Sequence, residues 1–459
     1  MNEVIEEKSN TTSETSSEPL SAAMIYGVDA YISEQYARAE RDKLWRKVWL
    51  QAGRVEEIPN AGDYLTYEIL DDSILVVRAA KGEIRAFHNV CVHRGRRLVD
   101  IPTGARNAQG QQKHFVCGYH GWRYNLNGEN THVLNKEDWK GALRDDCTGL
   151  SKVSVDTWGG WIWINMDPNC EPLRAYLEPA ASVLDPFELQ NLRFKWRRWA
   201  IFDCNWKVAM EAFIETYHVP ATHPEFMKFG AYTGWARLEG KHSSLGYDTP
   251  GETKGRLRLG AGKDPRVATA EMVSYTMKHV NSNFTQSLLD SALRLVDELP
   301  EGTPGDKVLK HWLESARKAD AARGIVWPSV DPALVARSGT AWNIFPNFRI
   351  GHAVNNALCY QARPFGYDPD KCIFEVSVFE LYAKGQEPKT EWEFTPLEDL
   401  ERWGSVLPQD FSNMAAVQQG MKSLGFHGPR PNPKEERAVS SLHYVLAQYM
   451  GTGAPRPLK

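Results

Sequence analysis

Between Ser33 and Leu50 the apolar residues Tyr36, Ala37, Leu44, Trp45 and Val48 recur at helical spacing among charges, predicting an amphipathic helix with a solvated basic face of Arg38, Arg41, Lys43, Arg46 and Lys47. From Gly62 to Met166 the period changes to two. Strands are predicted over 64–70, 73–78, 84–88, 115–116, 123–124, 152–155 and 161–165, with turns at Asp71-Asp72, Lys81-Gly82 and Asn127-Gly128. This is the pattern of a small antiparallel β domain. The acidic, Pro-rich stretch from Asp167 to Pro186 reads as a connector. Beyond about Glu188 strands alternate with long helices. Phe284, Leu288, Leu289, Leu293 and Val296 keep helical spacing, as do Val308, Trp312, Ala316 and Ala319, whereas Ala341 to Ile350 and Ile373 to Leu381 read as strands. No repeat of roughly 20 to 50 residues is evident.

Composition narrows the class. At 42% hydrophobic and 24% charged, 459 residues can bury more than one core, so about two or three domains are expected. Lys+Arg 54 against Asp+Glu 58 gives a net charge of -4, which argues against nucleic-acid binding driven by bulk charge. No run reaches the roughly 18 apolar residues of a membrane span, and the segment from Met1 to Glu18 is acidic and Ser/Thr-rich, unlike an export signal. A cytoplasmic protein with no membrane partner is therefore expected. Seven cysteines, an odd number spread thinly, suit thiolate metal ligands in a reducing compartment better than a disulfide framework.

Two constellations carry chemistry. The first is Cys91-Val92-His93-Arg94-Gly95-Arg96-Arg97, followed after a loop by Cys117-Gly118-Tyr119-His120-Gly121-Trp122. On residue types alone a Cys2His2 set most often holds structural zinc. Here, however, each pair mixes one Cys with one His at a turn of a β domain, the arrangement in which a Rieske [2Fe–2S] centre gives one iron to the cysteines and the other to the histidines. The segments Cys91 to Arg97 and Cys117 to Tyr124 resemble those of the Rieske non-haem iron oxygenases, in their catalytic (α) subunit of ring-hydroxylating type. The resemblance implies Cys91 and Cys117 on one iron and His93 and His120 on the other. Thr103 to Asn107 and Gln109 to Lys113 lengthen the intervening loop, which is expected to reach the surface.

The second constellation begins at Asn205-Trp206-Lys207 and continues through a helix-like stretch to Glu215, His218 and, past Pro220, His223. On a helix that Pro220 ends, Glu215 and His218 share a face, so the carboxylate can accept the N–H that His218 does not use for metal. Two histidines and one carboxylate on one side of Fe(II) leave positions open for dioxygen. Singly, His218 reads as a core histidine, Glu215 as a solvated residue and Asp410 as a carboxylate at a helix start. Jointly, and downstream of the first motif, they read as a metal site. Glu215-Thr216-Tyr217-His218 with His223 again resembles the family's catalytic domain, and Asp410-Phe411-Ser412-Asn413-Met414 resembles its Asp-x-x-Asn-Met stretch, which implies His218, His223 and Asp410 as iron ligands and Glu215 as the catalytic bridging carboxylate. Two departures stand out: the bridging position, commonly Asp, is Glu215, and the Asn that aromatic dihydroxylating members carry near the iron is replaced by Glu211 or Ala212. Cis-dihydroxylation does not follow from the resemblance.

The expected fold class is α+β: a disordered tail at 1–20, an N-terminal helical segment at 21–50, an all-β Rieske domain at 51–170, and a helix-grip (START-like) catalytic domain with an antiparallel sheet at 171–459. The resemblance implies one [2Fe–2S] cluster and one mononuclear Fe(II) per chain, O2 and a small organic substrate, NAD(P)H acting through a flavin reductase and/or ferredoxin, and a homotrimer with a possible small β subunit. In a trimer, electrons would pass from His120 of one subunit to Glu215 and His218 of the next. Arg94, Arg96, Arg97 and Arg123 either dock an acidic donor or serve local structure. Met210, Phe213, Ile214, Phe226, Met227, Trp342, Phe345 and Phe348 are candidates for an apolar pocket. The segment 232–338 is a candidate lid, and basic residues from it facing the pocket would suit a carboxylated substrate. The leading expectation is hydroxylation of an aromatic or polycyclic compound. The alternatives are an O- or N-demethylating or aliphatic-hydroxylating monooxygenase and, in another class, a Rieske electron carrier or zinc-stabilised ligand-binding protein.

Overall fold

A computed structural model describes residues 22–79, 82–229, 234–247 and 263–458. The tail expected at 1–20 lies outside the described residues, as do 232–233 and 248–262 of the candidate lid. The N-terminal helix is shorter than its apolar spacing suggests. The Ser33 hydroxyl caps helix Glu34–Glu40, a π turn follows at Arg41–Trp45, and the chain then enters strand Leu50–Arg54, where Leu50 pairs with Ile164. Its basic face is paired: Arg41 and Arg46 reach Asp71 and Asp72 at the first hairpin, both at 2.7 Å.

The first sheet has seven antiparallel strands, in the spatial order Leu50–Arg54, Trp161–Asn165, Lys152–Trp158, Ile84–His88, Asp72–Arg78, Asp63–Ile69 and Gln109–Gln111. A separate small sheet of Phe115–Val116, Arg123–Tyr124 and Asn130–His132 carries the second Cys/His pair. Gly128 turns its hairpin with φ of 79°, and a Cβ there would lie 2.3 Å from the Phe87 ring, so the turn needs glycine.

The second part is built on an eight-stranded sheet. Seven strands are antiparallel to their neighbours, and the edge strand Glu393–Phe394 runs parallel to Arg193–Phe202. The expected antiparallel sheet is therefore mixed at one edge. The single strand expected over 341–350 is a hairpin, Ala341–Ile344 and Phe348–His352, because Pro346 has no N–H with which to continue the ladder. Helices Pro265–His279, Gln286–Leu293 and Gly305–Ala322 form a satellite core around Val273, Leu288, Val308 and Trp312. Among the described residues no helix is long and apolar enough to cross a membrane.

The loop expected to reach the surface does so at 102–105 and 109–113, and the turn between them fastens the two parts together. Arg106 is buried and grips Glu375 of strand Asp368–Glu380 with both arms, at 2.5 and 2.8 Å, while its guanidinium lies 4.2 Å from the Trp392 ring centre. Arg363 reaches the same carboxylate at 3.2 Å. A buried carboxylate between two guanidiniums draws Arg106 inward from a largely exposed loop, which the loop's polar composition did not suggest.

Candidate active site

The first constellation folds as two matching loops. The amide of Cys91 donates to Arg96 O at 2.8 Å and Gly95 N donates back to Cys91 O at 2.9 Å; Cys117 and Trp122, with Gly121, repeat the pattern at 2.8 and 3.0 Å. Gly95 and Gly121 take φ of 77° and 70°, which lets each loop close tightly under its ligands. Both thiols are free and buried, and burial pushes the Cys91 thiol up. The rings of His93 and His120 lie 4.5 Å apart, His93 stacks on Trp122, and the Nδ1 atoms of both are buried without a hydrogen-bond partner. Two free thiols and two orphaned imidazole nitrogens are a donor set that fits a metal cluster. Of the flanking arginines, Arg96 pairs with Asp100, Arg97 approaches Glu68 at 3.5 Å and Arg94 lies over Tyr119, so these three have local structural partners.

The second constellation comes together by a different route than a continuous helix. Asn205 caps helix Trp206–Glu211, which ends there, four residues before Glu215. Glu215 takes over the capping itself: its carboxylate accepts from the backbone N–H of Tyr217 and of His218, the latter at 3.1 Å, and from His218 Nδ1. Pro220 opens the one-turn helix Val219–Thr222 instead of closing the earlier one, and His223 follows. Asp410 projects from the first turn of helix Leu407–Met421. Its Oδ1 lies 2.9 Å from His223 Nε2 and 3.4 Å from His218 Nε2, and ligand atoms of the three residues fall within 4.8 Å of one another. Two imidazoles and a carboxylate on one side fit a mononuclear ferrous ion.

Each imidazole has its far nitrogen occupied. His223 Nδ1 meets Gln409 Oε1 at 2.6 Å, and Gln409 Nε2 in turn donates to Glu225 at 2.9 Å. Since carboxylate and amide oxygens only accept, both Nδ1 atoms carry hydrogen and both Nε2 atoms are left to face the common point. Burial alone would depress both histidines, but Glu215 beside His218 and Asp410 beside His223 outweigh it and hold both above the usual imidazole range. Glu211 accepts from Tyr31 Oη at 2.8 Å and meets His443 Nε2 at 2.6 Å. Gln418, two helical turns beyond Asp410, receives the Asn205 amide at 3.0 Å and donates to Tyr31 O at 3.0 Å, so the iron-candidate segments share one buried anchor.

These residues line a cavity of about 390 Å³ walled by Phe213, Val219, Phe226, Phe284, Leu358 and Tyr360. Of the apolar residues expected at the pocket, Phe213 and Phe226 reach it; Met210, Ile214, Met227, Trp342, Phe345 and Phe348 are core. The candidate lid contributes Tyr247, Met272, Thr276, Val280, Asn283 and Phe284, none of them basic among the described residues. The cation in the cavity is Arg349, from strand Phe348–His352. Neither Arg349 nor Gln409 stood out in the sequence: one sits in an ordinary strand pattern, and the other is noticed only through its neighbour Asp410.

Residues 173–452 match the ring hydroxylating α subunit (catalytic domain), and residues 48–140 match the Rieske [2Fe–2S] domain. Among curated relatives, the chain is 33% identical over 199 residues to the glycine betaine monooxygenase oxygenase subunit of Pseudomonas aeruginosa, a match covering 43% of this chain and 44% of that protein. It is 36% identical over 207 residues to the large oxygenase component of the naphthalene 1,2-dioxygenase system of Pseudomonas putida, again over 43% and 44%. These matches span less than half the length of either relative. In fold, the chain is similar to a quaternary ammonium Rieske monooxygenase in complex with L-carnitine, with a TM-score of 0.63 and 17% identity over 94% of this chain and 97% of that one. It is also similar to naphthalene 1,2-dioxygenase with bound indole, with a TM-score of 0.59 and 20% identity over 94% and 93%. With the catalytic-domain match running over more than half of its length and a Rieske domain ahead of it, this chain belongs to the Rieske non-haem iron oxygenases, as an α subunit whose catalytic half implies a mononuclear iron.

Proposed function

We propose that this chain is the oxygenase component of a multicomponent system that uses O2 and electrons from NAD(P)H, delivered by a flavin reductase and/or a ferredoxin, to hydroxylate an aromatic or polycyclic organic compound. The carrying observation is the convergence of His218, His223 and Asp410 on the wall of an apolar cavity. In this reading Cys91, Cys117, His93 and His120 hold one [2Fe–2S] cluster, and His218, His223 and Asp410 hold one Fe(II). When bound, the cluster supplies single electrons and the ferrous ion activates O2. Glu215 and Gln409 hold the two imidazoles in the metal-binding tautomer, and the phenylalanine walls exclude water.

The same reading makes Glu215 the bridge between subunits of a homotrimer, with or without a small β subunit. Its support is that both ends are open to a neighbour: His120 is half-buried beneath exposed Tyr119 and Val116, and His218 is half-buried beside exposed Tyr217. Helix Arg437–Met450, packed on strands Gly234–Glu239 and His242–Tyr247, supports a helix-grip assignment for the second half, and we take 51–170 and 171–459 as the two functional domains.

A second reading, monooxygenation by O- or N-demethylation or aliphatic hydroxylation, is favoured by Glu211 or Ala212 standing where aromatic dihydroxylating members carry an Asn, and by the quaternary-ammonium enzymes among the relatives. The test common to both readings is low-temperature magnetic resonance of the reduced, metal-loaded protein. A mixed thiolate–imidazole cluster signal is expected, and its absence overturns the function. Products formed under isotope-labelled dioxygen then separate the readings, one incorporated atom meaning monooxygenation and two meaning dihydroxylation.

A further inference from the structure

Arg349 stands apart from the other enclosed arginines. Arg54 is held by Gly159 O, Leu192 O and Glu56, Arg106 and Arg363 share Glu375, Arg197 pairs with Glu57 and Arg266 with Asp264. Arg349 makes no hydrogen bond or ion pair among the described residues, and its Nε is buried without a partner. Its guanidinium carbon lies 5.3 Å from the ring centre of Tyr360, directly across the strand pair.

The backbone makes room for this arrangement. Alternation along Phe348–His352 puts Phe348 and Ile350 into the core and Arg349 and Gly351 on the cavity side. A Cβ on Gly351 would lie 2.9 Å from Nη1 of Arg349, so glycine two residues on leaves the groove in which the guanidinium lies. A guanidinium stays charged, and a half-buried charge is best stabilised when an anion completes it. The nearest carboxylate in the cavity, Asp410, is already engaged with His223 and His218. Among the described residues no carboxylate is left to pair with Arg349, so its position facing the cavity is open to an anion from a ligand.

We infer that the substrate is a carboxylate-bearing organic molecule, its carboxylate held by Arg349 and its apolar body lying between Phe213, Phe226, Phe284 and Leu358 toward His218, His223 and Asp410. This deepens the proposed oxygenase reading, because it concerns the same cavity, but it is tested by binding without turnover. Arg349 is thus a specificity residue: a fork of fixed N–H groups matched to two carboxylate oxygens discriminates strongly against a neutral analogue.

The experiment is anaerobic calorimetric titration of the metal-loaded protein with benzoate, 2-naphthoate and 4-phenylbutyrate, each beside its neutral amide. At least one carboxylate is expected to bind roughly tenfold or more tightly than its amide. Arg349→Gln should abolish that preference and Arg349→Lys should keep part of it. The inference is overturned if no carboxylate in the set binds, if amides bind as well as acids, or if Arg349→Gln binds the acids undiminished. A protein that binds carboxylates through Arg349 yet shows no cluster signal would sink the oxygenase reading and leave this one standing.

Discussion

Replacing Arg106 by methionine keeps the apolar stem and removes the charge that joins the cluster-bearing sheet to the catalytic sheet. In the variant, Glu375 keeps Arg363 on Oε1, at 3.2 and 3.3 Å, but its Oε2 loses the 2.8 Å bond to Arg106, and Trp392 loses the guanidinium from its face. Both partners of the pair are 3% exposed, so water does not replace what is removed. Breaking one partner of such a pair costs about 3 to 5 kcal/mol, and the surviving Arg363 puts this case at the lower end, about 3 kcal/mol. Urea unfolding at pH 7, followed by tryptophan fluorescence, measures it. The pH dependence supplies an independent check. Burial would raise Glu375, but Arg106 and Arg363 outweigh it and hold the carboxyl below its usual range. A depressed carboxylate stabilises the fold above its unfolded value of about 4.3 and loses that contribution as pH falls through its folded value. Removing Arg106 raises the folded value, so the deficit of the variant should be largest near neutrality and shrink on acidification. A deficit under about 1 kcal/mol, or one that grows in acid, refutes the account.

Other perturbations bear on the site itself. Glu215→Gln should retain both metals while turnover collapses, by roughly 100-fold or more if the side chain is the bridge; iron content and product formation are measured on the same preparation, and near-normal turnover counts against the role. Gln409→Leu removes the acceptor for His223 Nδ1 and should speed iron loss to a chelator by roughly 10- to 100-fold, with the cluster absorbance unchanged. Gly128→Ala forces a left-handed turn and a clash with Phe87, and should lower the thermal midpoint at which the visible absorption of the cluster bleaches by several degrees, roughly 2 kcal/mol in stability.

Much of the site was legible because its chemistry is written in short spacings. Cys91 with His93, and Cys117 with His120, lie close enough in sequence to be read as ligand pairs, and the loops that carry them repeat one backbone pattern. The elements around Glu215 were less so. The periodicity continues to His218, but the helix stops at Glu211: Phe213 and Ile214 bond only three residues back, and the Glu215 carboxylate then takes the amides of Tyr217 and His218, an alternative to helical bonding. The pocket was the weakest reading. Met210, Ile214, Trp342, Phe345 and Phe348 have the same composition whether they face a cavity or a core, and only the helix face and the strand register separate them. Arg349 illustrates the other side of that limit, since an isolated arginine in a strand carries no mark of its missing partner. Arg106 and Glu375, 269 positions apart, could not be paired from the sequence at all.

The clasp between those two residues also bears on how reducing equivalents can arrive. A carrier domain that rocks on a flexible stalk must slide free of its neighbour at every cycle, and a desolvated ion pair resists such motion. Here the first sheet is pinned to the second by a desolvated pair, so on the proposed reading the visiting donor has to do the travelling.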